Sequence, residues 1–188
     1  MTASILELPE VRRRVSPLSV ADYHRLGEFN GNGRRTELIR GIVIEKMSKS
    51  PVHSTIVALL YRLLLARVSA GLTVRQEQPL TLKDSEPEPD IAIVRGTERD
   101  FLESHPSTAE LVIEVALTNP ALDQENASLY AEASVKEYWI LLGKERRVEV
   151  YRRPQNGRFQ EQLVVGPNDT LECAALREAR LKVSELLP

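Results

Sequence analysis

The segment from Leu111 to Leu117 constrains the fold most, because every residue in it is apolar except Glu114. A continuous rather than alternating apolar run is typical of a strand that is covered on both faces. An unpaired carboxylate inside such a strand would be costly to desolvate. Glu114 therefore needs a partner, which is either an arginine or backbone donor in a structural role, or a second acidic group that shares a cation with it.

The strand and helix signals predict an α/β (α+β) domain with a central mixed β-sheet flanked by helices, together with antiparallel hairpins. The passage from residue 111 to 142 reads as strand, helix and strand, which favours a parallel crossover. Arg40-Gly41 between two β-rich runs predicts a tight hairpin. Ser19 followed by Asp22 has the spacing of a capping box and predicts a helix to about Glu28.

The remaining signals complete this outline. They predict a turn at 30–33, a helix from Ser50-Pro51 to about Ser69, a helix from 120 to about 133, and strands at 72–74, 91–94, 138–142, 147–152, 159–165 and 171–173. Residues 1–17 lack a sustained period and are expected to form a flexible N-terminal arm. Residues 18–188 are expected to form a single domain, since no linker or repeat divides them.

The charge balance excludes one class of function. Lys plus Arg number 25 and Asp plus Glu number 27, a formal net charge of −2, so no sequence-wide positive field exists to hold polyanions non-specifically. The single cysteine, Cys173, excludes an internal disulfide and a cysteine-based zinc cluster, and it suggests a reducing, cytoplasmic location. Arg62 interrupts the most apolar stretch, so we expect no membrane span.

A second acidic group that could partner Glu114 stands at the start of the short apolar strand 91–94. Asp90 precedes this strand, and the two apolar strands are candidates to be neighbours in the sheet. Paired carboxylates at strand ends form a hard-oxygen site suited to Mg²⁺ or Mn²⁺. Glu86 and Glu88 share a side with Asp90 in an extended chain, but a solvated acidic loop explains these two residues better than metal ligation does.

Two further polar residues precede these strands. Glu37 lies at the start of the first hairpin, and His53 lies in the opening turn of the long helix. From its position alone, a single histidine on that helix face is more typical of a core or capping residue than of a ligand.

The order of these residues resembles a known family. The matching segments are Thr36-Glu37-Leu38-Ile39-Arg40-Gly41, His53, Pro89-Asp90, Val112-Ile113-Glu114-Val115, Leu129-Tyr130-Ala131-Glu132-Ala133 and Val135-Lys136-Glu137-Tyr138-Trp139-Ile140. They resemble a bacterial family of restriction-endonuclease-like proteins, once catalogued as a domain of unknown function, within the PD-(D/E)XK nuclease superfamily. The resemblance covers roughly residues 18 to 165.

The resemblance implies a set of roles at one centre. Asp90 and Glu114 would be divalent-metal ligands, and the backbone carbonyl of Val115 would complete the inner shell. Glu37 would help to hold metal or water, and His53 would be an active-site neighbour. A metal at such a site lowers the pKa of a bound water and stabilises the developing charge, so hydrolysis needs no covalent intermediate.

The sequence departs from the family pattern at the lysine that positions the attacking water. The simple E-x-K spacing leads to Ala116, and the family's own position, on the following helix, holds Asn126, which donates a hydrogen bond but carries no charge. Residues 100–135 contain no Lys or Arg. Losing one transition-state donor typically costs about 10² to 10³ in rate. Lys136, or an arginine from elsewhere, is a candidate replacement.

These observations favour a Mg²⁺- or Mn²⁺-dependent endonuclease that acts on DNA. The alternative is a catalytically impaired nuclease-fold domain, with Asn126 in place of the lysine, that acts in nucleic-acid binding or protein interaction. A third hypothesis is a homodimer that pairs through edge hairpins near 147–165. Cys173 with a histidine base is a weaker candidate for a nucleophile, because a lone cysteine in a strand is more typical of a core.

Overall fold

The fold is described from a computed structural model that covers residues 8–27, 35–176 and 180–187. The chain divides into two compact units, one with Met1–Lys46 and Lys83–Glu86, the other with Met47–Leu82 and Pro87–Pro188. The turn predicted at 30–33 lies outside the described residues. The single-domain assignment of residues 18–188 and the flexible arm at 1–17 stay predictions.

The helices of the first unit are short. A one-turn helix, α1 (Pro9–Arg12), is followed by α2 (Val20–Arg25). The Ser19 side chain accepts a hydrogen bond from the Asp22 backbone N–H, and the Asp22 carboxylate accepts one from the Ser19 backbone N–H. The predicted capping box is therefore confirmed, and it satisfies two backbone donors that the first turn of a helix leaves without intrahelical acceptors.

The β-hairpin of the first unit also matches its prediction. Strands β1 (Thr36–Ile39) and β2 (Ile42–Glu45) pair antiparallel. Arg40 and Gly41 have φ angles of 52° and 74°, the left-handed pair that a two-residue hairpin turn requires. A Cβ atom at Gly41 would clash with the Pro17 side chain, so both the backbone conformation and the packing require glycine here.

The second unit is built around a mixed sheet. The strand order is β3-β4-β5-β6-β7-β8, in which β5 and β6 are parallel and every other neighbouring pair is antiparallel. This arrangement confirms the predicted parallel crossover and the mixed sheet. The strands are β3 (Leu72–Gln76), β4 (Ile91–Arg95), β5 (Leu111–Ala116), β6 (Glu137–Leu142), β7 (Arg147–Gln155) and β8 (Arg158–Val165).

One face of this sheet packs on a long helix. Helix α3 (Pro51–Arg67) is capped by Ser50, whose side chain accepts a hydrogen bond from the His53 backbone N–H, as the sequence predicted. Its buried stripe contacts the sheet residues that point to the same side. The stripe consists of Ile56, Val57, Leu60 and Leu64, and the sheet residues include Val74, Ile91, Ile93, Leu111, Ile113, Val115, Trp139 and Leu141. This packing forms the main hydrophobic core.

The opposite face carries the crossover helix, α4 (Ala121–Glu132), and it is more polar. Tyr130 and Tyr138 are fully buried, with ring centroids 4.7 Å apart. The Tyr138 hydroxyl donates to the Asp123 carbonyl oxygen over 2.8 Å, which ties the sheet to α4. Because successive side chains of a strand alternate between faces, Val115 belongs to the α3 side and Glu114 to the α4 side.

The chain ends in small elements that the sequence patterns only partly predicted. Strand β9 (Thr170–Glu172) was expected, but its antiparallel partner β10 (Arg180–Lys182) and the one-turn helix α5 (Val183–Leu186) were not. A 3₁₀ turn at Glu98–Phe101 was also missed. At the sheet edge formed by β8, Leu163 and Val164 are exposed, and the homodimer hypothesis stays a prediction. None of the helices in the described ranges has the length and apolar character of a membrane span.

We expect Gly41→Ala to destabilise the protein more than Gly71→Ala. Gly71 also has a positive φ, 79°, but a Cβ there meets no atom within 4 Å, so this control isolates the backbone cost, about 1 kcal/mol. Gly41→Ala adds the clash with Pro17, which raises the loss by about 1–3 kcal/mol. Chemical denaturation followed by circular dichroism measures both, and equal losses would contradict the clash.

Candidate active site

The register of three neighbouring strands brings acidic residues together where their ladders end. Ile91 pairs with Gln76 on one side and with Ile113 on the other. Continuing both ladders by one residue places Asp90 between Glu77 and Glu114. The Glu77 backbone N–H donates to the Asp90 carbonyl oxygen over 3.1 Å, and the Asp90 backbone N–H donates to Glu114 Oε2 over 3.1 Å. Asp90 and Glu114 are therefore in contact, as the sequence predicted.

Asp90 is buried, and three segments of the chain donate hydrogen bonds to its carboxylate. Oδ2 accepts from the Val115 backbone N–H over 2.9 Å and lies 3.1 Å from His53 Nε2, while Oδ1 accepts from Lys49 Nζ over 3.1 Å. Burial alone would raise the pKa of Asp90. The hydrogen bond and charge of His53, the charge of Lys49 and the Val115 amide outweigh burial, so the pKa of Asp90 is lowered and its carboxylate stays ionised.

Glu114 is held on its own side by α4. Its Oε1 accepts from the Tyr130 hydroxyl over 3.2 Å, and its Oε2 accepts from the Asp90 backbone. Asn126, on the same helix one turn before Tyr130, is 6% exposed. The partner that the sequence required for Glu114 is thus a tyrosine together with the backbone of the second acidic residue.

Val115 has a place beside both acids. Its N–H faces Asp90, and the N–H and C=O of one residue in an extended strand point to the same side. The carbonyl oxygen therefore faces the strand edge on which Asp90 lies.

Lys49 and Glu77 are the residues that sequence reasoning missed. Lys49 directly precedes the α3 capping residue, and its Nζ donates to Glu77 Oε1 over 2.5 Å as well as to Asp90. Desolvation alone would lower the pKa of Lys49, but the hydrogen bond to Glu77 and the charge of Asp90 raise it, so the amine stays protonated. Neither residue lies in a recognisable motif, and only the strand register could have located Glu77.

His53 contacts Asp90, and the active-site role that the family resemblance implies for it stays a prediction. Its Nε2 faces Asp90, while its Nδ1 is buried and has no hydrogen-bond partner in the described part of the chain. With no partner at Nδ1, the ring's hydrogen bond is directed to Asp90 alone.

Glu37 belongs to the first unit, where its Oε2 lies 3.5 Å from Lys46 Nζ, and its assignment to the centre stays a prediction. Glu86 requires a correction. It was expected to lie in a solvated loop, but it is only 6% exposed, and His24 Nε2 lies 2.8 Å from its Oε1. Its backbone also exchanges hydrogen bonds with Leu38, so it is an anchored part of the first unit.

The nucleophile alternative at Cys173 loses support. Cys173 is 2% exposed in the main core, and burial raises the pKa of its thiol to about 12. The three candidate bases have other partners, because His24 faces Glu86, His53 faces Asp90 and His105 Nδ1 lies 3.1 Å from Arg75.

Comparison with known proteins identifies the family and the fold. Residues 20–184 match the Uma2 family, whose description is "Putative restriction endonuclease". A crystal structure of a "putative nuclease belonging to DUF820" from Anabaena variabilis ATCC 29413 is similar with a TM-score of 0.77 and 20% identity, over 90% of this chain and 97% of that one. This likeness confirms the predicted fold. No curated protein matches the chain.

We expect Cys173 to be unreactive in the folded protein. At pH 8 a thiol with a pKa near 12 is only about 10⁻⁴ thiolate, and the thiolate is the reactive form. A thiol reagent should therefore label the native chain negligibly and the chain in denaturant stoichiometrically. Rapid labelling of the native protein would contradict the buried position.

Proposed function

Because the chain belongs to the Uma2 family of restriction-endonuclease-like proteins, we propose that it is a metal-dependent endonuclease that hydrolyses phosphodiester bonds in DNA. The observation that carries the proposal is the contact between Asp90, directly before β4, and Glu114, within β5. Two carboxylates on adjacent strands, one of them deeply buried, form a structured site rather than a solvated acidic surface.

The donor atoms suit a hard divalent cation. Asp90, Glu114 and the Val115 carbonyl would hold Mg²⁺ or Mn²⁺, both of which prefer oxygen ligands. The Asp90 carboxylate offers about four acceptor positions and accepts two hydrogen bonds at Oδ2 but one at Oδ1, so Oδ1 has lone-pair capacity for a cation. In the described ranges, no three His, Cys, Asp or Glu side chains form a ready cation site. Mg²⁺ commonly binds through one or two carboxylates and completes its shell with water and substrate phosphate.

The protein's own residues fix this centre before any substrate binds. The Val115 N–H and His53 orient the Asp90 carboxylate, and Tyr130 orients that of Glu114. Preorganised donors of this kind avoid reorganisation during the reaction. We assign His53 and Tyr130 positioning roles.

A bound divalent cation would supply an activated water and positive charge beside the phosphate. In the hydrolysis, the water oxygen bonds to phosphorus and the water loses a proton to solvent. One P–O ester bond breaks, and the departing oxygen takes up a proton to become a hydroxyl group. The products are a phosphomonoester end and a hydroxyl end, so no covalent enzyme intermediate is needed.

We expect purified protein to nick supercoiled plasmid with Mg²⁺ or Mn²⁺ and to stop when EDTA is added. Asp90→Asn and Glu114→Gln should each lower the rate by at least about 10²-fold, because each removes a proposed ligand charge. Glu161→Gln, which removes one charge from the surface pair with Arg153, should nick at the wild-type rate. If the wild type binds DNA but does not nick it, the endonuclease proposal is overturned, and the alternative of a catalytically impaired domain is favoured.

The positioning role of Tyr130 has a matched control in Tyr138. Both are fully buried tyrosines, but the Tyr138 hydroxyl donates to a backbone carbonyl instead of to Glu114. Tyr130→Phe and Tyr138→Phe should each cost about 1 kcal/mol of stability. Only Tyr130→Phe should weaken Mn²⁺ binding, by about tenfold or more in calorimetry. Equal Mn²⁺ affinities for the two variants would refute the role of Tyr130.

A further inference from the structure

The centre that we propose lacks a positive charge at the expected place. Phosphodiester hydrolysis accumulates negative charge on the phosphate oxygens, and a cationic donor beside them accelerates it. Asn126 is neutral, and residues 100–135 contain no Lys or Arg. Lys136, one candidate replacement, is exposed beside the first residue of β6, whereas Glu114 pairs with Ile140 farther along that strand. Four residues of strand separate the two positions, about 13 Å.

We propose that Lys49, from the segment before α3, is the cationic catalytic residue of this centre. The inference rests on the proposed endonuclease function and adds to it the residue that contacts the reacting phosphate. Lys49 comes from a different part of the chain than Asn126, the segment directly before α3, and its amine contacts Asp90.

The amine is held in a defined position. Its side chain is 19% exposed, and two carboxylates from neighbouring strands, Glu77 and Asp90, accept its hydrogen bonds. The backbones of these two acids are themselves hydrogen-bonded over 3.1 Å, so the pairing that continues from the sheet holds the two carboxylates that bind the amine. A solvent-exposed lysine that pairs with one acid would instead keep most of its rotamer freedom.

The amine also retains capacity for a substrate. A lysine ammonium has three N–H donors, and two acceptors are seen in the described part of the chain. It contacts Oδ1 of Asp90, whereas the Val115 amide and His53 contact Oδ2. The third N–H can therefore donate to the attacking water or to a non-bridging phosphate oxygen bound beside Oδ1. Lys49 stays protonated in this role and transfers no proton.

A rival reading is that Lys49 occupies the place of the cation and must be displaced by it. The two readings predict opposite outcomes. If Lys49 only occupies the place of the cation, its removal should tighten Mn²⁺ binding and raise or preserve the nicking rate. Removing a catalytic donor should lower the rate while Mn²⁺ binding stays the same or tightens.

The test uses the full chain with Lys49→Met, Lys136→Met as the matched lysine control, and the double variant Lys49→Met/Asn126→Lys. We expect Lys49→Met to lower plasmid nicking by at least about 10²-fold without weakening Mn²⁺ binding in calorimetry. Lys136→Met should nick at the wild-type rate. The double variant should recover at least about tenfold over Lys49→Met, because it restores a charge on α4.

Each alternative result has a distinct meaning. If the wild type nicks plasmid and Lys49→Met nicks it at an equal or higher rate, the proposed role of Lys49 is overturned. The proposed endonuclease function is then unaffected. A wild type that never nicks overturns both. A Lys49→Met variant that is inactive because it no longer binds Mn²⁺ assigns Lys49 to the structure of the site and overturns its catalytic role.

Discussion

The buried carboxylate of Asp90 is the group on which the rest of the centre depends. A carboxylate removed from water is costly unless donors surround it. Those donors come from β5, from α3 and from the segment before α3, through Val115, His53 and Lys49. Burial of one charge therefore fixes the relative positions of three segments. Because Asp90 also replaces a backbone acceptor for the Val115 N–H, its removal would leave that donor without a partner, and the stability and chemistry of this region are linked.

Much of the second unit could be predicted because its signals are local. The apolar run in β5, interrupted only by Glu114, indicated a strand covered on both faces, and the Ser50-Pro51 start of α3 indicated a cap. These two patterns require only neighbouring residues. Glu114 could be singled out for the same reason, since one acid in an apolar strand requires a partner. Asp90 followed as the acid directly before the other apolar strand, and the family resemblance added His53.

The residues that escaped prediction depend on tertiary register. Glu77 lies just beyond β3, and nothing near it in sequence marks it; it meets Asp90 only because Gln76 pairs with Ile91. Lys49 lies in a loop with no hydrophobic period. Glu86 was misjudged for a related reason, because an acidic, proline-rich stretch suggests solvent, whereas its burial depends on His24, 62 positions earlier. Long-range pairs of this kind leave no local pattern.

The strand register also has a consequence for how this chain can tolerate changes in length. The segment between Arg95 and Leu111 joins β4 to β5 without belonging to either strand, and loops accept insertions at small entropic cost. An added residue within β4 or β5 would instead rotate every following side chain to the opposite face of the sheet. Asp90 and Glu114 would then point to different layers of the molecule. The number of loop residues between Asp90 and Glu114 can therefore change. The alternation of side chains along the two strands must stay the same for these acids to meet.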